Sequence, residues 1–447
     1  MKKADSNVLS LDFFREYPCI SYGKGIYMYT EDGTEIIDGA SGPVLMSLGH
    51  GITEMGDVMK AQSDKLAYCH RDDVITTVLK DSCKKISELS GNHLTRIFQV
   101  AGGSEATEIA IKLIRKHQIY KGCQGKYKII SRWQSYHGIS NGALSISGFS
   151  KRRAGYEPYM IDFSKIPPAY CYRCWFGKEP GKCNLECAQA LEDTILCEGP
   201  ENVAAFVAEP ISGMSLCGAE PGEGYFKRIR EICDKYDVLL VLDEVMTGMG
   251  RSGKYFAYDY FGIKPDMAIL GKAISGGYFP LGAVGISDKV YKPMVEAKGS
   301  FPPGYSWSGN PLGAAVSLKA MEYLEKYNLV ERSAEMGAYL RKRLEEVLYP
   351  HPTVGDIRGR GLMIGIELVK DKETKECFDP SVNYTGQMMM GALEKNMLIE
   401  GSSGCNKGQS GNTLMISPPF VVTEEQIDVI VERLESVLTE VEKRNGF

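Results

Sequence analysis

The stretch that most narrows the possible folds runs from Val238 to Gly285, VLLVLDEVMTGMGRSGKYFAYDYFGIKPDMAILGKAISGGYFPLGAVG. Two short apolar runs, Val238–Leu242 and Met267–Leu270, read as buried strands of a parallel sheet, because strands covered on both faces lose the polar alternation of half-exposed ones. The first run ends in Asp243-Glu244 and the second in Gly271-Lys272. In open parallel sheets, ligand chemistry gathers at the carboxyl ends of the strands. An acid and a lysine are therefore delivered to one crevice. The plain alternative is a strand-end salt bridge, or two solvated charges.

The rest of the chain supplies what such a crevice needs. Phe98-Gln-Val feeds Ala101-Gly-Gly-Ser-Glu-Ala, and Thr107–Arg115 continues with a helical pattern. A glycine turn opening a helix presents free N–H groups at the positive end of the helix dipole, a phosphate cradle to which Ser104 adds a hydroxyl. Many strand-to-helix turns look alike, however. Past the strand in residues 127–138 come Tyr136 and His137. Tyr136 can stack on a flat heterocycle or sit as a core aromatic. Val203-Ala-Ala-Phe-Val-Ala leads to a further strand-end acid, Glu209, and Tyr225–Tyr236 reads as an amphipathic helix. Strands alternating with helices imply βαβ units. A lysine able to form a Schiff base and an acid for a pyridinium nitrogen are the pair a pyridoxal phosphate site requires.

The ends of the chain read differently. Ile26-Tyr-Met-Tyr and Glu35-Ile-Ile flank an Asp32-Gly33 turn, a hairpin signal. A small-residue loop from Asp38 through Val44 to Gly51 follows. Gly282–Ser287 reads as another strand, and Pro311–Leu348 as long helical patterns. Strand-like runs at Leu362–Val369 and Leu414–Ser417 precede a helix from Thr423, capped by Thr423 and Gln426. The expected organisation is α/β: an N-terminal segment 1–60 belonging to a small domain, a large domain 61–315 with a mainly parallel sheet flanked by helices, and a smaller α+β domain 316–447.

Composition excludes other classes. At 447 residues the chain can bury a large core. A net charge of −5 points to neither nucleic acid nor an acidic membrane surface, and no apolar run is long enough to span a bilayer. No secretory signal is read in MKKADSNVLSLDFF. Thirteen cysteines without a signal argue for a reducing compartment, and the cytoplasm is expected. Cys171, Cys174, Cys183 and Cys187 fall as C-x2-C-x8-C-x3-C, either free thiols or a tetrahedral metal site; the shortness of the gap between the pairs favours free thiols, and no metal ligand is assigned.

Taken in chain order, Gly103-Ser104-Glu105-Ala106, Tyr136-His137-Gly138, Glu209-Pro210, Asp243-Glu244-Val245, Gly271-Lys272, Tyr305-Ser306-Trp307-Ser308-Gly309-Asn310-Pro311 and Arg358-Gly359-Arg360-Gly361-Leu362 resemble the class III, or omega, aminotransferases of the fold type I pyridoxal phosphate enzymes. The resemblance implies that Lys272 holds pyridoxal 5′-phosphate as a Schiff base and, once freed, shuttles a proton. It implies that Asp243 keeps the pyridine nitrogen protonated, that Val245 and Tyr136 pack on opposite ring faces, and that Gly103 and Ser104 hold the phosphate. His137 and Glu209 join the cofactor contacts. Ser306 stands where the family has a threonine reaching the phosphate from the partner subunit, which implies a homodimer, with a tetramer left open.

Departures from the family speak to substrate. Met415 stands where glutamate-using relatives carry an arginine, and Ile139 where others carry one after the His-Gly. A carboxylate is gripped best by a bidentate guanidinium, so an orthodox glutamate enzyme is disfavoured. Val44 replaces a bulky aromatic and Met246 a glutamine. Val44, Tyr136 and Met415 are the expected substrate-facing residues. The expected reaction moves an amino group from an amine, β-amino or ω-amino compound to a 2-oxo acid, pyruvate in the first place. A racemase or epimerase built on the same lysine and cofactor is the alternative.

Overall fold

The computed structural model describes residues 7–302 and 304–447; the N-terminal lysines in the signal reading lie outside them. Among the described residues, fifteen strands form three sheets. The N-terminal sheet contains β1 (Ile20–Lys24), β2 (Tyr27–Thr30) and β3 (Glu35–Asp38). The hairpin expected at Asp32-Gly33 is present as antiparallel β2 and β3, with Gly33 in the left-handed region at φ 86°.

The central sheet is built from β4 (Arg96–Val100), β5 (Lys128–Arg132), β6 (Lys165–Ile166), β7 (Val203–Ala208), β8 (Leu239–Asp243), β9 (Met267–Leu270) and β10 (Gly282–Ile286). Their order is β4-β10-β9-β8-β7-β5-β6. Pairing is parallel from β9 through β8, β7 and β5 to β6, whereas β10 runs antiparallel to both its neighbours. The fold is α/β with a mainly parallel sheet, as the strand pattern predicts. Both faces of β8 are buried: Leu239 and Val241 join a core with Ile109, Leu113 and Ile114 of the helix Gly103–Tyr120, while Leu240 and Leu242 join Tyr225, Phe226, Ile229 and Ile232 of the helix Tyr225–Lys235. Burial on two sides is why the run carries no polar alternation.

The C-terminal sheet comprises β11 (Val354–Gly359), β12 (Ile364–Leu368), β14 (Glu400–Asn406) and β15 (Ser410–Ile416), in the antiparallel order β11-β12-β15-β14. The short strand β13 (Met397–Leu398) pairs in parallel with β3, so the chain's beginning hydrogen-bonds to this region. The last helix, Glu424–Arg444, opens with the Thr423 and Gln426 capping box. Arg251, fully buried, ties the parts together: its Nη1 donates to the carbonyls of Leu362 (2.9 Å), Ser417 (3.2 Å) and Pro418 (2.7 Å), and its Nη2 to Ser41 Oγ (3.2 Å).

The cysteine segment packs against the C-terminal sheet. Tyr170 and Arg173 both hydrogen-bond the buried carboxylate of Glu367 on β12, which also accepts from Arg358 at 2.8 Å. Cys171, Cys174, Cys183 and Cys187 line one cavity of about 530 Å³, none of them in a disulfide, and burial pushes Cys187 up to about 12. No helix among the described residues is long and apolar enough to cross a membrane.

Candidate active site

The carboxyl ends of β4, β5, β7, β8 and β9 open on one cavity of about 330 Å³. Gly103, Ser104, Tyr136, His137, Glu209, Asp243, Val245 and Lys272 all line it. They follow, or end, five different strands of the sheet, so the strand order brings Gly103 and Lys272, far apart in sequence, to one cavity.

Asp243, the last residue of β8, is 4% exposed. A carboxylate so buried costs several kcal/mol unless its oxygens are satisfied. Its Oδ2 lies 2.7 Å from His137 Nδ1, and its Oδ1 accepts the Val245 N–H at 3.0 Å. His137 is held in turn: its N–H donates to Ser147 Oγ at 2.8 Å, and its carbonyl accepts from Thr107 Oγ1 at 2.7 Å. The acid is thus fixed in position before any ligand arrives.

Lys272 follows β9 with φ 47°, in the left-handed region, a strained conformation for a residue with a Cβ. Its Nζ donates to the Pro43 carbonyl at 2.6 Å. Desolvation lowers its pKa from the usual lysine value to about 8, against the opposing pull of Asp243 and Glu400. An amine with that pKa is mostly charged near physiological pH but keeps a neutral, nucleophilic fraction far larger than a free lysine has.

The helix Gly103–Tyr120 starts at the cavity wall with Gly102 as N-cap and no side-chain cap, which leaves N–H groups of the first turn for an anion. Ser104 Oγ accepts the Ile139 N–H at 3.0 Å. Space here is tight. A Cβ added at Gly103 or at Gly271 would lie 3.1 Å from Val245 Cγ1, so the valine is pressed between two glycines and presents its face to the cavity. Tyr136 stands edge-on to Phe149, with ring centroids 6.4 Å apart. Glu209 is buried without an arginine at its carboxylate: Oε1 accepts the Gly213 N–H at 2.8 Å and Oε2 the Tyr136 N–H at 3.4 Å, while Arg132 Nη2 donates to the Glu209 backbone carbonyl. Burial raises its pKa.

Two expected residues lie elsewhere, and a third, Ser306, expected to serve the partner subunit, also lies outside this cavity. Val44 and Met415 do not line this cavity; both are buried in an apolar cluster with Ile211, Cys217, Ala257 and Met363, behind Met214 and Met246. Ser306 is exposed, its carbonyl accepting from Tyr68 Oη at 3.1 Å. In their place the structure adds Pro43, Phe149, Arg152, Met214 and Glu400 to the wall. The Lys151-Arg152-Arg153 run was the available signal for Arg152. Glu400 gave none, because its strand, EGSSGCN, lacks an apolar period.

These residues fit pyridoxal phosphate: an anion-receptive helix end, an apolar and an aromatic side chain, Val245 and Tyr136, on the cavity wall, a fixed acid and a lysine of lowered pKa. The aminotransferase class-III family profile matches residues 15–438. A taurine–pyruvate aminotransferase of Bilophila wadsworthia is 33% identical over 430 residues, covering 95% of this chain and 93% of that protein. A diaminobutyrate–2-oxoglutarate transaminase of Halomonas elongata is 33% identical over 440 residues, covering 94% and 90%. The omega transaminase from Pseudomonas jessenii, solved in complex with PMP, superposes with a TM-score of 0.89 at 30% identity, covering 96% of this chain and 93% of that one.

Proposed function

The chain belongs to the class-III aminotransferase family, and we propose that it transfers an amino group from an amine, β-amino or ω-amino compound to pyruvate, with pyridoxal 5′-phosphate held covalently by Lys272. Transamination to a 2-oxo acid is the chemistry of the family. The acceptor is the finer point, because the two relatives above differ in it by name.

Bound pyridoxal phosphate supplies an electron-accepting pyridinium ring. The protein's residues do the rest. The first turn of Gly103–Tyr120 and Ser104 hold the phosphate. Asp243, positioned by His137, keeps the proton on the ring nitrogen. Lys272 Nζ, freed by the incoming amine, takes the proton from the amine-bearing carbon of the substrate; a pKa near the working pH lets it both accept and return that proton. Val245 and Tyr136 fix the plane in which the reacting bond must stand, and the apolar wall of Phe149, Ile211, Met214 and Met246 excludes water.

One observation supports a monocarboxylic acceptor. Among the described residues lining the cavity, Arg152 is the single arginine, whereas a five-carbon dicarboxylate calls for two carboxylate grips. The exposed Ser306 loop, with Tyr68 edge-on to Trp307 at 5.9 Å, supports a homodimer in which this loop completes the partner's phosphate site. The test is a donor panel run against pyruvate and 2-oxoglutarate, with the cofactor's absorbance followed. Pyruvate is expected to give the higher kcat/KM; glutamate with 2-oxoglutarate as the best couple overturns the reading.

A further inference from the structure

Most charges in the cavity are already answered by the protein. Asp243 has His137 and a backbone N–H, Glu209 has two backbone N–H groups, and Lys272 has the Pro43 carbonyl. Two are not. Arg152, on the short helix Ser150–Arg153, makes no side-chain hydrogen bond or ion pair among the described residues, in contrast to its neighbour Arg153, which donates to the carbonyls of Leu144, Ser145 and Ser147. Glu400, the first residue of β14, is half-buried and has no ion pair among the described residues. The positive groups that act on its carboxylate are Lys272 and Arg152, with the adjacent Gly401 N–H. Asp38 opposes them from the N-terminal segment, and burial raises the Glu400 pKa.

An unpaired carboxylate in a half-buried wall is unfavourable unless something fills it. Consider what different donors leave behind. A simple amine meets neither charge. A monoamino acid satisfies Arg152 and puts its carboxylate near Glu400, which repels it. A donor carrying a carboxylate and a second ammonium answers both. Resting on the aminotransferase reading above, we propose that the amino donor is a diaminocarboxylic acid: one amine reacts at Lys272, the carboxylate seats on Arg152, and the non-reacting ammonium seats on Glu400. In the net reaction the donor's reacting carbon loses its nitrogen and two electrons and becomes a carbonyl. The 2-oxo acid's carbonyl carbon gains that nitrogen and the two electrons and becomes an amino acid, with the oxygen exchanged through water. Among the described cavity residues, Arg152 and Glu400 are specificity determinants and leave the proton transfer to Lys272.

The test compares donors of equal length that differ only in the second amine: 2,4-diaminobutyrate against 4-aminobutyrate, and ornithine against 5-aminopentanoate. The holoenzyme's first half-reaction is followed by cofactor absorbance, and steady-state kcat/KM is measured with pyruvate. The wild type is expected to favour the diamino member by about tenfold or more, the scale of a charge-assisted hydrogen bond. Glu400→Gln brings that ratio down about tenfold, mainly through KM, and Glu400→Asp restores part of it. Arg152→Gln acts on the carboxylate common to both members, so it lowers both values and leaves their ratio in place. A ratio near one in the wild type, or a ratio that survives E400Q, overturns the proposal while turnover of simple amines leaves the transaminase reading standing. Failure of every donor to alter the cofactor spectrum sinks that reading, and this proposal with it.

Discussion

The floor of the cavity and its rim are built on opposite principles. The floor residues Asp243, His137 and Lys272 sit at or just beyond the ends of strands whose backbones are locked into a seven-stranded sheet, and each polar atom the chemistry uses already has a protein partner. The rim residues Arg152 and Glu400 come from a four-residue helix and from the C-terminal sheet, and their charges are left open. Preorganised groups can serve a transition state without reorganising; open charges serve whichever substrate completes them. On the proposed roles, reaction type and substrate choice reside in separable parts of the molecule.

The difference can be broken from either side. Lys272→Ala removes the covalent anchor and the proton carrier together, and kcat should fall by at least about 10³-fold with pyruvate as acceptor. Residual turnover near the wild-type rate would remove Lys272 from the mechanism. Asp243→Asn keeps the shape of the His137 contact but loses the charge; a fall of about 10²–10³-fold is expected, with the cofactor still bound by its absorbance.

Packing at the floor is tested by Gly271→Ala. The new Cβ meets Val245 Cγ1 at 3.1 Å, so the variant should lose about 1–3 kcal/mol in denaturant unfolding, and Val245→Ala in the same chain should recover most of it. The lysine itself gives a pH signature. With its pKa lowered to about 8, its neutral fraction rises about tenfold between pH 7 and pH 9, so cofactor-free protein should take up pyridoxal phosphate about tenfold faster at the higher pH. A lysine of ordinary pKa, about 10.4, would start from a far smaller neutral fraction and show a rise of about a hundredfold over that range. The smallest effect belongs to the rim: Arg152→Gln should change unfolding stability by no more than about 0.5 kcal/mol, since the side chain is exposed and bonds none of the described residues. Arg153→Gln, which would orphan three carbonyl contacts, should cost about 1–3 kcal/mol.

The central strands were legible because double burial leaves short unbroken apolar runs, and the last helix because its capping box is a local pattern. The direction of β10 was not legible: Gly282–Ile286 has the same small apolar composition whether it runs parallel or antiparallel, and its pairing with β4 and β9 decides. β11 and β14 carry no clear alternation, VGDIRG and EGSSGCN, and their register comes from β12 and β15. For the same reason Val44 and Met415, positions that a resemblance makes substrate-facing, stand one layer behind the cavity wall.

The sequence by itself determined the reacting machinery of this protein. A lysine, an acid and a glycine turn at strand ends are local features, and a parallel sheet carries strand ends to one edge whatever surrounds them. The tertiary structure alone decided which charges line the cavity, because Arg152 and Glu400 lie about 250 positions apart in elements without a periodic signature, and only long-range packing brings them to the same wall.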